Sequence, residues 1–128
     1  INDSKATTFS SSVSLLKSLT NVHWIVGGQA KKGDKLLLSK KDCKNIKAYI
    51  FGTNKNFFIS KLKKLMRYEY FLDLKSLVQK LSLEIKVDKN RIHKTILFSP
   101  SAASFDNFKN FEERGKYFND LIKKYINA

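Results

Sequence analysis

The sequence predicts an α/β fold, a Rossmann-like three-layer sandwich with a mainly parallel sheet and helices on both faces. Two observations carry this. Four short, largely apolar runs, Val22–Val26, Ala48–Phe51, Tyr68–Leu72 and Thr95–Phe98, have the length and composition of strands covered on both sides. Helical patterns separate them, and strands alternating with helices build a parallel sheet.

Taken in order, Phe9, Val13, Leu16 and Leu19 recur at helical spacing, as do Phe58, Leu62 and Leu65, and then Leu74, Leu77, Val78, Leu81 and Ile85. Asp34 through Lys44 is a weaker helix candidate, with Asp34 placed to cap it. Strand Thr95–Phe98 runs into Ser-Pro and three small residues. A final helix follows, with Phe108, Phe111, Phe118, Leu121, Ile122 and Tyr125 as its apolar positions and Ser104 at its N-cap. Gly115 interrupts that pattern at a cost of about 1 kcal/mol relative to alanine. It marks either a break between two shorter helices or one helix that something approaches closely.

The chain of 128 residues is expected to be one domain spanning 1–128, with room for a real core. It begins at Ile1 without an initiator methionine, which suggests a piece of a longer protein. No apolar run has the length of a membrane span, and neither a span nor a signal peptide is readable, so no membrane partner is expected. One cysteine, Cys43, allows no internal disulfide and fits a reduced, cytoplasmic setting; the lysines around it are expected to draw its thiol pKa down. The net charge of +14 invites a nucleic-acid reading. Against it, only Arg67, Arg91 and Arg114 are arginines, and the lysines are scattered rather than interleaved with base-stacking aromatics. His23 and His93 have no partner at metal or catalytic spacing, and no metal-ligand cluster is readable.

Three stretches could carry chemistry. Residues 99–115, SPSAASFDNFKNFEERG, form a strand–turn–helix unit whose free N–H groups suit a carboxylate or phosphate; the alternative is a tight connection and nothing more. Gly27 and Gly28 follow a strand, at the carboxyl edge where α/β sheets gather ligands, and Lys31 supplies a cation; alone, this could equally be a turn with a solvated lysine. The spacing excludes a Walker A loop. Residues 1–8, INDSKATT, would read alone as a frayed polar linker.

Together, in this order, the three stretches resemble the C-terminal domain of the Mur ligases, and most of all the branch of that family that accepts D-glutamate. The resemblance implies a three-domain, ATP-dependent amide-forming ligase of which this chain is the amino-acid-binding domain. ATP would phosphorylate the carboxylate of UDP-N-acetylmuramoyl-L-alanine, and the D-glutamate amine would displace the phosphate. By the same resemblance Thr7, Lys31, Ser104, Phe105 and Phe111 bind D-glutamate, Lys5 is catalytic and near the reacting phosphate, and Asp3 and Lys5 lie near the nucleotide. ATP and Mg²⁺ would sit mainly on a central domain outside this chain. Asp106, Lys109, Asn110, Glu112 and Arg114 repeat the family pattern and are expected to act as helix-terminus charges, intrahelical pairs and supports of the turn. Thr8 departs from the asparagine usual there. The isolated domain is expected to be inactive, monomeric and without nucleic-acid partners. The alternatives are a free-standing α/β module for an anionic small molecule and a basic nucleic-acid-binding domain.

Overall fold

The computed structural model describes residues 1–87, 94–104 and 108–126. Phe105, Asp106 and His93 lie outside the described residues. The elements run α1 (Phe9–Ser18), β1 (Val22–Gly27), β2 (Ile46–Phe51), α2 (Lys55–Leu62), β3 (Arg67–Phe71), α3 (Leu74–Val87), β4 (Thr95–Phe98) and α4 (Phe111–Tyr125). The strands form one sheet in the order β3-β2-β1-β4, every pair parallel. All four predicted strands are present.

Alternation along the strands feeds two cores. Trp24, Val26, Ala48, Ile50 and Leu97 pack with Phe9, Leu16, Phe58 and Leu62, so α1 and α2 cover one face. Ile25, Tyr49, Phe51 and Phe98 pack with Leu74, Leu77, Leu81, Phe118 and Leu121, so α3 and α4 cover the other. The result is the predicted three-layer sandwich. Each fully buried large apolar side chain contributes about 1.5–3 kcal/mol, and both layers are lined with them.

Three local expectations change. Residues 34–39 are irregular and 40–44 form turns, so no helix forms here. Asp34 instead accepts the Phe9 N–H at 2.8 Å, satisfying a free donor at the start of α1 from a distant loop. Asp42 and Ser39 close a turn reciprocally: the Asp42 carboxylate accepts the Ser39 N–H and hydroxyl, and the Asp42 N–H donates to Ser39 Oγ. Second, α4 begins at Phe111, and its cap is Asn110, whose side-chain oxygen accepts the Glu113 N–H at 2.8 Å; Ser104 is not the N-cap. Glu112 and Glu113 in the first turn complement the helix dipole there. Third, α2 stops at Leu62, leaving Leu65 in the following turn but still packed on the core.

Gly115 lies inside one continuous helix. A Cβ there would stand 3.0 Å from the Ser4 Cβ, so close approach, not a helix break, explains the glycine. The opening segment is not frayed. Phe98 N–H donates to Ile1 O at 2.9 Å and Asp3 N–H to Phe98 O at 2.7 Å, so the first residues cover the β4 edge of the sheet.

Candidate functional site

The three stretches singled out in the sequence meet at the carboxyl edge of the sheet. β1 leaves the sheet at Gly27, φ +147°, where a Cβ would stand 2.1 Å from the Phe51 carbonyl oxygen. Gly28, φ +124°, leaves 2.8 Å between a Cβ and the Ala103 oxygen. Only glycine permits this path. It lets Gly27 N–H donate to Pro100 O at 3.0 Å and lets Gln29 and Ala103 exchange N–H···O bonds of 2.9 and 3.0 Å. Ala30 N–H donates to Asn54 Oδ1 at 2.7 Å. The loop is thus stitched to two neighbours, and Lys31, exposed, projects from its far end.

The Ser-Pro turn is buried through Ser99, Pro100, Ser101 and Ala102, and its hydroxyls form a directed chain. The Ser99 hydroxyl donates to Asp3 Oδ2 at 2.8 Å. Its proton being committed there, Ser12 Oγ, at 2.5 Å, must donate to Ser99 Oγ. Ser101 Oγ, 2.6 Å from Ser12 Oγ, completes the series. Trp24 Nε1–H donates to Ser99 O at 2.8 Å, tying the turn to the sheet. Within this chain the Asp3 carboxylate anchors the turn.

Ser104 is buried at the end of that turn, and its carbonyl accepts the Phe108 N–H at 2.9 Å. Its hydroxyl therefore does not compete with a capping role, since Asn110 holds that position. Phe111 opens α4 and is 41% exposed, while its carbonyl accepts the Ser4 hydroxyl at 2.7 Å. Lys5 is exposed and Thr7 half-buried, both just beyond Ser4. The fold brings Asp3, Lys5, Thr7, Lys31, Ser104 and Phe111 to the segments meeting at this edge.

Arg114 is the residue that sequence reasoning undervalued. It is fully buried, and its guanidinium donates to Ser4 O at 2.6 Å, Ala102 O at 2.7 Å and Ser4 Oγ at 3.1 Å. A signal existed: in a chain that uses lysine almost everywhere, an arginine at this place points to a need for a planar fork of donors.

Two cavities lie at the opposite, amino edge. One of about 420 Å³ is lined by His23, Lys44, Lys47, Tyr49, Arg67 and Glu84 among others. The next, about 990 Å³, is lined by Lys40, Lys41, Lys63, Lys64 and Tyr68 and shares Lys44, Lys47 and Arg67 with the first. In the first, His23 Nδ1 lies 3.0 Å from the Tyr49 hydroxyl, which donates to Glu84 Oε2 at 2.6 Å. Burial, then the neighbouring Glu84, pushes the Tyr49 phenol far above its ordinary pKa. Burial, then the adjacent Asp42 carboxylate, also pushes the Cys43 thiol up, the reverse of the expected effect of nearby lysines. Desolvation prevails over lysines whose charges stay in water.

Among the described residues no three His, Cys, Asp or Glu side chains come together as metal ligands, and Asp3 is turned toward Ser99. The residues described do not fit a Mg²⁺ site. No helix among them is long and apolar enough to cross a membrane.

A parallel α/β sandwich with a glycine loop, a buried Ser-Pro turn and an ordered leading segment converging beyond the strand ends is a Rossmann-like domain. The similarity of its sequence to UDP-N-acetylmuramoylalanine–D-glutamate ligases over nearly its whole length shows that the chain belongs to the Mur ligase family. The one of Rickettsia felis is 39% identical over 126 residues, covering 97% of this chain and 27% of the relative. That of Wolbachia sp. subsp. Brugia malayi is 38% identical over 124 residues, 97% of this chain and 24% of the relative. That of Francisella philomiragia is 35% identical over 126 residues, 95% and 29%. The chain spans about a quarter of the length of these curated relatives. No protein-family model matches it.

Proposed function

We propose that this chain is the C-terminal, amino-acid-binding domain of a three-domain, ATP-dependent ligase that joins D-glutamate to UDP-N-acetylmuramoyl-L-alanine. The observation that carries this is the convergence of three sequence-distant stretches on one sheet edge, held by backbone hydrogen bonds and Arg114. The names of the relatives support the reaction. Neither the free-standing module nor the nucleic-acid reading has such support.

The chemistry sets clear demands. The amine of D-glutamate attacks the carbonyl carbon of an acyl phosphate, the C–N bond forms, the C–O bond to phosphate breaks, and the amine proton must leave. Two anionic substrates and a departing phosphate repel one another, so cations and oriented donors must hold them in line. In this proposal Lys31 pairs with a carboxylate of D-glutamate, and Thr7 and Ser104 donate to its carboxylates. Phe111, with Phe105, shapes the pocket. Lys5 faces the phosphate and is the catalytic residue contributed by this domain, and Asp3 and Lys5 border the nucleotide side. In this reading, as the family resemblance implies, ATP and Mg²⁺ belong mainly to another domain. Domain closure would complete the site, so the chain by itself is expected to be inactive. We assign the parent protein to the cytoplasm as a monomer, with these substrates as its partners.

The test is phosphate release by the full-length protein with ATP, Mg²⁺ and UDP-N-acetylmuramoyl-L-alanine. The proposal expects release that depends on D-glutamate and not on L-glutamate. Turnover with another amino acid only would move the chain to a sister ligase.

A further inference from the structure

The three stretches are joined at one cation. Arg114 sits in α4 with no exposed surface, and its guanidinium meets both the opening segment and the Ser-Pro turn. Nη2–H donates to Ser4 O at 2.6 Å, Nη1–H to Ala102 O at 2.7 Å, and Nε–H to Ser4 Oγ at 3.1 Å. Because the Ser4 hydroxyl proton goes to Phe111 O at 2.7 Å, Ser4 Oγ is free to accept from Arg114. Small residues make room for the arrangement. A Cβ on Gly115 would press to 3.0 Å on Ser4, and a Cβ on Gly28 would stand 3.4 Å from Arg114 Nη1. One guanidinium therefore binds the opening segment and the Ser-Pro turn together and lies against the glycine loop.

Its partners are close in sequence to the proposed ligand contacts. Ser4 directly precedes Lys5 and comes shortly before Thr7; Ala102 leads to Ser104 and Gly28 to Lys31. We propose that Arg114 is a positioning residue that holds Lys5 and Thr7 in register with Ser104 and Lys31, and so sets the affinity for the amino acid. This rests on the proposed function. Arginine suits the task because its donors are planar, diverge at fixed angles and stay charged at any working pH. A lysine offers one ammonium, which cannot serve both carbonyls with the same geometry.

The experiment uses the full-length protein with Arg114→Lys, and Ser4→Ala as a milder variant that keeps the Ser4 carbonyl. Three readouts are compared: KM for D-glutamate against KM for ATP, kcat, and hydrogen exchange of peptides covering residues 2–8 and 22–27. The expected result for Arg114→Lys is a KM for D-glutamate raised about 10-fold or more with KM for ATP changed less than about 2-fold, as small misplacement of binding groups produces. Residues 2–8 should exchange faster while 22–27 stay protected. Ser4→Ala should move the same readouts by about 3-fold, and it decides the matter if Arg114→Lys does not fold. A D-glutamate KM unchanged in the folded variants would overturn the inference, as would exchange that accelerates uniformly across the domain. If the wild-type protein does not use D-glutamate at all, the proposed function fails instead. Positioning is then judged by exchange alone, and unchanged protection of residues 2–8 sinks it.

Discussion

The two edges of the sheet hold their polar groups in different ways. At the carboxyl edge, backbone does most of the holding: Gly27 against Phe51, Gln29 against Ala103, and Arg114 on the carbonyls of Ser4 and Ala102. The groups suited to an anion, Lys5 and Lys31, are left at the surface. At the amino edge side chains hold one another. Lys47 reaches Glu69 at 3.4 Å and Glu84 at 3.5 Å, and Tyr49 links Glu84 to His23. These partly exposed ion pairs are worth no more than about 1 kcal/mol each. The amino edge holds a cluster of lysines and two cavities. The carboxyl edge has a frame of hydrogen-bonded backbone, and a frame fixed before the ligand arrives is what binding and catalysis reward.

The largest effect is expected from breaking the carboxyl edge. Gly27→Ala would drive a Cβ into the Phe51 carbonyl at a φ of +147°. It should cost about 4 kcal/mol or more, read as a large fall in Tm or failure to fold. A mild effect would mean that the strand end relaxes freely and that the frame is softer than described.

A smaller effect is expected at the amino edge. Tyr49→Phe removes the donor to Glu84 and the neighbour of His23 and should cost about 1–2 kcal/mol in denaturant unfolding. The same tyrosine gives a pH signature. Its folded pKa is raised, by burial first and by Glu84 second, so the folded state keeps a proton that the unfolded chain loses above about pH 10. That stability is fully present below this pH and declines as pH rises beyond it. The decline should be shallower in Tyr49→Phe; an identical decline would show that Tyr49 is not the group responsible.

The smallest effect concerns a helix end. Asn110→Ala should cost about 1 kcal/mol by losing the bond to the Glu113 N–H, measurable as a shifted urea midpoint. No shift would return the capping role to another residue.

Strand positions were legible because apolar runs of that length have few other uses, and the parallel sandwich followed from their alternation with helices. The Asp34–Lys44 stretch misled because its acidic residue could cap any nearby helix; it caps α1, a tertiary choice that local propensity does not record. Ser104 has a side chain that caps many helices, but Asn110 followed by Glu113 is the better pair: Asn110 Oδ1 accepts the Glu113 N–H and Glu113 Oε2 accepts the Lys109 N–H. The site stretches were legible as motifs. Their joining was not, because Arg114 meets Ser4 across most of the length of the chain and only the fold brings them together. Cys43 shows the same limit: its lysine neighbours are visible in sequence, whereas its burial is not.

The most direct measurement sets the two edges against each other in the full-length protein: the KM for D-glutamate in Lys31→Ala and in Lys44→Ala. Lys31→Ala is expected to raise it at least about 10-fold, and Lys44→Ala to leave it within about 2-fold of wild type. A larger rise for Lys44→Ala would place amino-acid binding at the lysine-lined amino edge and contradict the account.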